Sequence, residues 1–220
     1  MMKQNYKVLN YYFGNNHNRI LNSIHALQNG KGIMIIDDHN RENEGDIIFS
    51  AETITIPQII FSIRYGSGII CLCITEYLRK KLKLPMMVKN NTNIYKTGFT
   101  ISIEAAKGIT TGVSAQDRFT TIKTAINNNT KPEDLNHPGH IFPLRAVHGG
   151  VLVRPGHTEA TIDLLKISQM KPTGILCELT NNNGTIANML DTIIFAKKHN
   201  MLVLTVNDIK NFIIENNINL

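Results

Sequence analysis

Cysteine is scarce in this chain. The three present, Cys71, Cys73 and Cys177, lie in apolar, strand-like runs and form no C-x-x-C pair. That excludes a disulfide framework and predicts buried free thiols of a reducing, cytoplasmic setting. Long hydrophobic runs are also missing, so no membrane-spanning helix is expected. The first residues, Met1 to Tyr6, lack the apolar core and cleavage site of a secretory signal. Acidic residues are the scarcer charge, 17 against 23 Lys and Arg, giving a net charge of +6. Such an excess permits an acidic partner, nucleic acid included. The lysines are scattered, however. The one dense basic run, Arg79-Lys80-Lys81, shares its stretch with Leu78, Leu82 and Leu84, as on a solvated helix face. Neither a nucleic-acid nor a membrane partner is expected. With 220 residues, 42% hydrophobic, no repeat and no linker, residues 1–220 read as a single domain with a full core.

Against that scarcity, five of the carboxylates crowd into one short stretch, Asp37-Asp38-His39-Asn40-Arg41-Glu42-Asn43-Glu44-Gly45-Asp46. Strand-like runs flank it, and Arg41 is its only full positive charge. Like charges this close raise one another's pKa values unless a cation neutralises them, and a hard divalent ion does so through oxygen ligands. A solvated acidic turn is the ordinary alternative. An EF-hand is excluded, because the twelfth position would be Ala51.

The rest of the chain alternates helix and strand patterns. Helices are predicted at 18–29, after the Thr55-Ile56-Pro57 start, at 75–82, from Ser114 to Ile126, from Glu159 to Ser168, at 191–199 and from Asn207. Strands are predicted at 32–36, 47–49, 68–74, 150–153, 174–179 and 201–205. From Gly98, alternation of Phe99, Ile101 and Ile103 with Thr100, Ser102 and Glu104 predicts a strand with one packed and one polar face. Residues 129–143, broken by proline, read as a long loop, of a length that is usually functional or disordered. The expected architecture is a mixed sheet covered by helices.

Three further places carry chemistry. Arg154-Pro155-Gly156-His157-Thr158 enters a helix, where free N–H groups and the dipole favour phosphate. Arg154 offers a planar fork, Gly156 allows close approach, Thr158 adds a hydroxyl, and His157 can reach a metal. Glu159 would complement the helix dipole. His140, on the irregular segment, titrates in the range useful for proton transfer. Glu178 sits in the apolar run Ile175–Leu179, where a carboxylate costs several kcal/mol unless paired or used.

Together these residues resemble the 3,4-dihydroxy-2-butanone 4-phosphate synthase family, nearly end to end. The likeness is carried by Asp37-Asp38 with Arg41 to Asp46, by Gly66 to Cys73, Leu84 to Met87, Asp134 to Arg145, Gly156 to Ala160 and Gly174 to Thr180. It implies an α/β (α+β) fold, a three-layer α/β/α sandwich around a mixed twisted sheet of the YrdC-like kind. It implies conversion of D-ribulose 5-phosphate to L-3,4-dihydroxy-2-butanone 4-phosphate and formate, for riboflavin biosynthesis, with Mg²⁺ or Mn²⁺, two ions per site. It further implies a homodimer with active sites at the interface. Carried over by residue, Glu42 and His157 hold the metals. Arg154, Gly156 and Thr158 seat the phosphate, with Pro155 where glycine or arginine is expected. Arg41, Glu44 and Asp46 hold the sugar, Glu42, His157 and Glu178 also contact it, and His140 and Glu178 are the acid–base residues. A single-activity chain is expected, without a cyclohydrolase half. The rival classes are a YrdC-like nucleic-acid module, which would line its cleft with Lys and Arg, and another sugar-phosphate isomerase or aldolase, which would release no formate.

Overall fold

The structure, a computed structural model, describes residues 2–220, with side chains from residue 6 onward. Seven strands form one mixed sheet: β1 (Ile33–Ile36), β2 (Gly45–Ser50), β3 (Cys71–Ile74), β4 (Ile103–Ala105), β5 (Leu135–Arg145), β6 (Gly174–Glu178) and β7 (Leu202–Thr205). Their order is β4-β5-β3-β6-β2-β1-β7, with β1–β7 and β3–β5 parallel and the other neighbours antiparallel. Among the described residues eight α-helices accompany them: α1 (Met2–Phe13), α2 (Asn16–Gln28), α3 (Ile56–Tyr65), α4 (Glu76–Lys81), α5 (Ala115–Ile126), α6 (His157–Ile167), α7 (Met189–Lys198) and α8 (Val206–Glu215).

Side chains alternate across a strand, so continuous apolar runs must feed two cores. They do. Met34, Ile36, Ile47, Leu72, Ile74 and Ile175 point to one side and pack with α1, α3, α5 and α7. Ile33, Ile35, Ile48, Cys71, Cys73 and Leu176 point to the other and pack with α2, α6 and α8. Each face is covered, which makes the three-layer α/β/α arrangement implied by the resemblance.

Local starts follow ordinary capping. Ser114 caps α5 by accepting the Asp117 N–H at 3.0 Å, and Thr55 with Gln58 forms a capping box before the early Pro57 of α3.

Four expectations fail. The segment at 129–143 is not a loop for most of its length, because Leu135–Arg145 is the sheet's longest strand. Its prolines sit where the ladder tolerates them. Residues 137–140 bulge outward at the register shift opposite Ile103 and Glu104, and Phe142 and Arg145 make the backbone bonds on either side of Pro143, at 3.1 and 2.8 Å. The run at 150–153 is no strand. Gly149 and Gly150, with φ of 88° and 57°, turn it into the 3₁₀ turn Gly150–Leu152. The polar face of residues 99–104 turns inward: Thr100 is fully buried, and Ser102 accepts the Gly139 N–H at 3.0 Å. Finally, α6 begins at His157 rather than Glu159, so the histidine occupies its first turn. Helix α1 lies where no element was expected.

Candidate active site

The ends of β1 and β6 and the beginnings of β2 and β3 meet at one end of the central strands, on the α6 side. Register decides what gathers there. Asp46 lies directly opposite Glu178 across the β2–β6 ladder and opposite Ile35 across β1–β2. Paired residues share a face, so two carboxylates stand side by side, a destabilising arrangement without a cation.

The acidic loop between β1 and β2 folds around Asp37. Its buried carboxylate accepts the N–H groups of Glu42 (3.1 Å) and Glu44 (3.0 Å) and one Arg41 guanidinium N–H (2.7 Å). Arg41 also pairs with Glu42 and lies 4.9 Å from the Tyr95 ring centre, while the Tyr95 hydroxyl donates to the Arg41 carbonyl at 2.6 Å.

From the other side comes the first turn of α6. His157, only 5% exposed, places Nδ1 3.7 Å from a Glu42 oxygen and 3.6 Å from an Asp46 oxygen. Ligand atoms of Asp37, Glu42 and His157 all lie within 4.8 Å of one another. The second Asp46 oxygen, Oδ1, is buried without a hydrogen-bond partner. Oxygen donors with one imidazole suit a hard divalent ion, and an orphaned buried carboxylate oxygen is the kind of atom such an ion satisfies. The residues therefore fit the metal that the resemblance implies.

Titration follows from the crowding. Burial, added to by Glu178, Glu44 and Glu42 and opposed by His157, pushes Asp46 up to about 7. Burial with the Glu42 and Glu178 charges lifts Glu44 to about 7. For His157 burial works downward, but Asp46, Glu42 and Asp37 outweigh it and hold the imidazole up at about 9. For Glu42 burial works upward, yet His157 and Arg41 bring its carboxyl below the usual range. The metal-free site keeps its surplus acid partly protonated.

The cleft over this cluster is lined by Arg41, Glu42, Asp46, Arg154, His157, Thr158 and Glu178, joined by Cys71, Asn93, Thr97, Phe99, Leu144 and Leu176. Seven of the sequence-predicted residues thus come together. Glu44 sits just behind, its carbonyl 3.3 Å from His157 Nε2. Gly156 is the buried N-cap of α6, and Pro155 is exposed beside it. His140 does not line the cleft; it stands on the β5 bulge, its ring against Glu104.

Arg154 is more occupied than a free phosphate fork. It pairs with Glu159, and donates to the Tyr95 carbonyl at 3.0 Å and to Thr97 Oγ1 at 3.1 Å. Glu159, expected to serve the dipole, holds Arg154 and accepts the Val147 N–H. Sequence reasoning missed Asp37 as a donor in the cluster and the polar segment around Tyr95 as the link from Arg41 to Arg154. Asp37 was visible as the first acid after a buried strand. The Tyr95 link had no local signal, because it depends on tertiary packing. Cys71 reaches the cleft as well, but burial pushes its thiol well up, so it stays neutral.

Known proteins resemble this chain over most of its length. The family model for 3,4-dihydroxy-2-butanone 4-phosphate synthase matches residues 22–212. A synthase of that name from Photorhabdus laumondii is 58% identical over 197 residues, 90% of this chain and 91% of the relative. One from Escherichia coli is 59% identical, with the same coverage. A crystal structure of 3,4-dihydroxy-2-butanone 4-phosphate synthase with two magnesium ions aligns with a TM-score of 0.83 at 34% identity, covering 86% of this chain and 93% of the other.

Proposed function

Because the chain belongs to the 3,4-dihydroxy-2-butanone 4-phosphate synthase family, we propose that it converts D-ribulose 5-phosphate to L-3,4-dihydroxy-2-butanone 4-phosphate and formate, a lyase step that feeds riboflavin biosynthesis. The observation that carries this is the meeting of Asp37, Glu42 and His157, the last two lining a cleft that Arg154 and Glu178 also line.

In this reading Glu42 and His157 hold two Mg²⁺ or Mn²⁺ ions, with Asp37 and Asp46 adding negative charge beside them. When bound, the ions supply Lewis acidity for the charge that develops as a ketose C–H bond breaks. Arg154, Gly156 and Thr158, with the dipole end of α6, seat the phosphate, and Pro155 fixes the backbone entering that turn. Arg41, Glu44 and Asp46 hold the sugar hydroxyls. The Arg41–Tyr95–Arg154 link supports the loop over the cleft, which keeps water from reactive intermediates. Glu178 and His140 carry protons.

His140 supports the homodimer. Its side chain is 42% exposed and stands outside the cleft of its own chain, so a second copy is the natural source of the imidazole for each site.

The test is incubation with ribulose 5-phosphate and Mg²⁺, with and without chelator. Metal-dependent formate is the expected outcome. A product without formate would favour another sugar-phosphate isomerase or aldolase.

A further inference from the structure

Helix α6 carries a second buried carboxylate, outside the cleft. Asp163 is 2% exposed and stands about one turn beyond Glu159 on the same face of the helix. Burial pushes its carboxyl up, and the Val151 N–H, donated to it at 2.8 Å, works against that. The turn so held has little else to fix it. Of Val151, Leu152 and Val153 only the first is buried, and the other two are 49% and 68% exposed. Polar anchors therefore decide where this turn sits, and they converge on one peptide group, Gly150–Val151. Its N–H goes to Asp163. Its carbonyl, on Gly150, accepts the N–H groups of Val153 at 3.1 Å and Arg154 at 3.0 Å. A side chain on Gly150, at a φ of +57°, would overlap the Asp163 carboxylate, so backbone and acid are in direct contact. The entry to the turn is fastened to the same helix, by the Val147 N–H on Glu159 at 3.0 Å. A peptide group is planar, so fixing its N–H fixes the direction of its carbonyl, and with it the backbone of Arg154.

We propose that Asp163 is a positioning residue of the phosphate seat: through the Gly150–Val151 peptide it sets where Arg154 stands against the first turn of α6. One helix then carries both the N–H groups at its start that favour an anion and, further along, the acceptor that holds the arginine's turn. Referring both parts of the seat to one rigid element cuts the ordering that binding would otherwise require. The role needs a hydrogen-bond acceptor and no charge, so an amide can serve in place of the acid and a methyl group cannot. The proposal rests on the reading of Arg154 as a phosphate ligand.

The test combines kinetics with hydrogen exchange on the full-length, Mg²⁺-loaded protein. In Asp163→Ala the KM for ribulose 5-phosphate and the inhibition constant of inorganic phosphate should both rise about tenfold, as expected for one lost hydrogen bond. The kcat should be little changed, and Asp163→Asn should recover most of the loss. A lower Tm with normal KM and normal phosphate inhibition in the folded enzyme would overturn the proposal and leave Asp163 a support of the fold alone. If the Asp163 contact strengthens phosphate binding, phosphate binding must strengthen that contact by the same factor. Hydrogen exchange on the unmodified protein therefore decides the matter even if Asp163→Ala does not fold. Inorganic phosphate should slow exchange of the Val151 amide more than that of the α8 amides. An equal or smaller effect at Val151 would overturn the proposal. If Arg154→Ala itself shows normal KM and phosphate inhibition, the reading of Arg154 fails instead, and the two failures are told apart.

Discussion

Two of the places where this molecule buries charge solve the problem in opposite ways. Under α2 and α8, Arg19 is 2% exposed and meets Asp208 through two bonds, 3.0 and 2.7 Å, with further donations to Asn10 Oδ1 and the Gly14 carbonyl. Asp208 also caps α8 by accepting the Thr205 N–H at 2.9 Å. Opposite charges balance there, and three segments of chain are fastened together. Just beyond the end of β1, on its β2 and β6 side, Asp37, Glu42, Glu44, Asp46 and Glu178 outnumber Arg41 and His157, and one Asp46 oxygen has no partner. The first arrangement is complete in the protein alone. The second is complete only with something positive added, which is how a binding site differs from a structural ion pair.

The comparison can be broken first at Glu42. Glu42→Ala should lower formate release by about 10²- to 10³-fold, as losing a group that anchors transition-state charge stabilisation typically costs two to three orders of magnitude. Urea unfolding of the metal-free variant should match the parent. Normal formate release would remove Glu42 from the metal site.

Arg19→Ala should do the reverse. Leaving Asp208 buried and unpaired costs about 3–5 kcal/mol, seen as a lower urea midpoint. The surviving folded fraction should keep its KM for substrate. An unchanged midpoint would make the pair a passive contact.

Asp46→Asn sharpens the contrast. Asp46 is held at about 7 by burial among acids, so near pH 8 its ionised form strains the metal-free protein. Removing that charge should stabilise it by about 1–3 kcal/mol, while the thermal shift on adding Mg²⁺ disappears. Destabilisation would show that Asp46 is already satisfied by His157.

The smallest effect is in pH dependence. Asp46 and Glu44 rise to about 7 and His157 to about 9 in the metal-free fold, against ordinary values of about 4 and about 6.5. A group raised by folding lends stability below its unfolded pKa and loses it as pH climbs through its folded value. The metal-free Tm should thus fall from pH 6 to 9. Metal binding needs the deprotonated forms, so the Mg²⁺-induced rise in Tm should grow over the same interval. A rise independent of pH would contradict this.

Much of this was legible in the chain. The apolar runs at 33–36, 71–74 and 174–178 are buried on both faces, and their pattern is local. The acid-rich stretch between two strands pointed to a candidate cation site, and the turn before α6 holds the His157 that the structure brings beside it. What stayed hidden depends on distant pairing. Pro138 and Pro143 argue against a strand, and only the bulge opposite Ile103 and the neighbouring ladder bonds make β5 possible. The apolar letters of Val151 to Val153 read as strand because nothing local shows Gly149 and Gly150 turning left-handed together. Thr100 and Ser102 looked solvent-facing, since the backbone groups that satisfy them come from β5, at least 37 residues away. Asp46, placed in the loop by its acidity, is the second residue of β2, and only the register against Glu178 explains why it matters.

The most direct measurement of the central claim is a Mn²⁺ titration of chelator-stripped protein followed by electron paramagnetic resonance, for the parent and for Glu42→Ala and His157→Ala. The account predicts stoichiometric binding by the parent and its loss in both variants, although Glu42 and His157 lie 115 residues apart in sequence. Mn²⁺ bound equally well by all three proteins would contradict it.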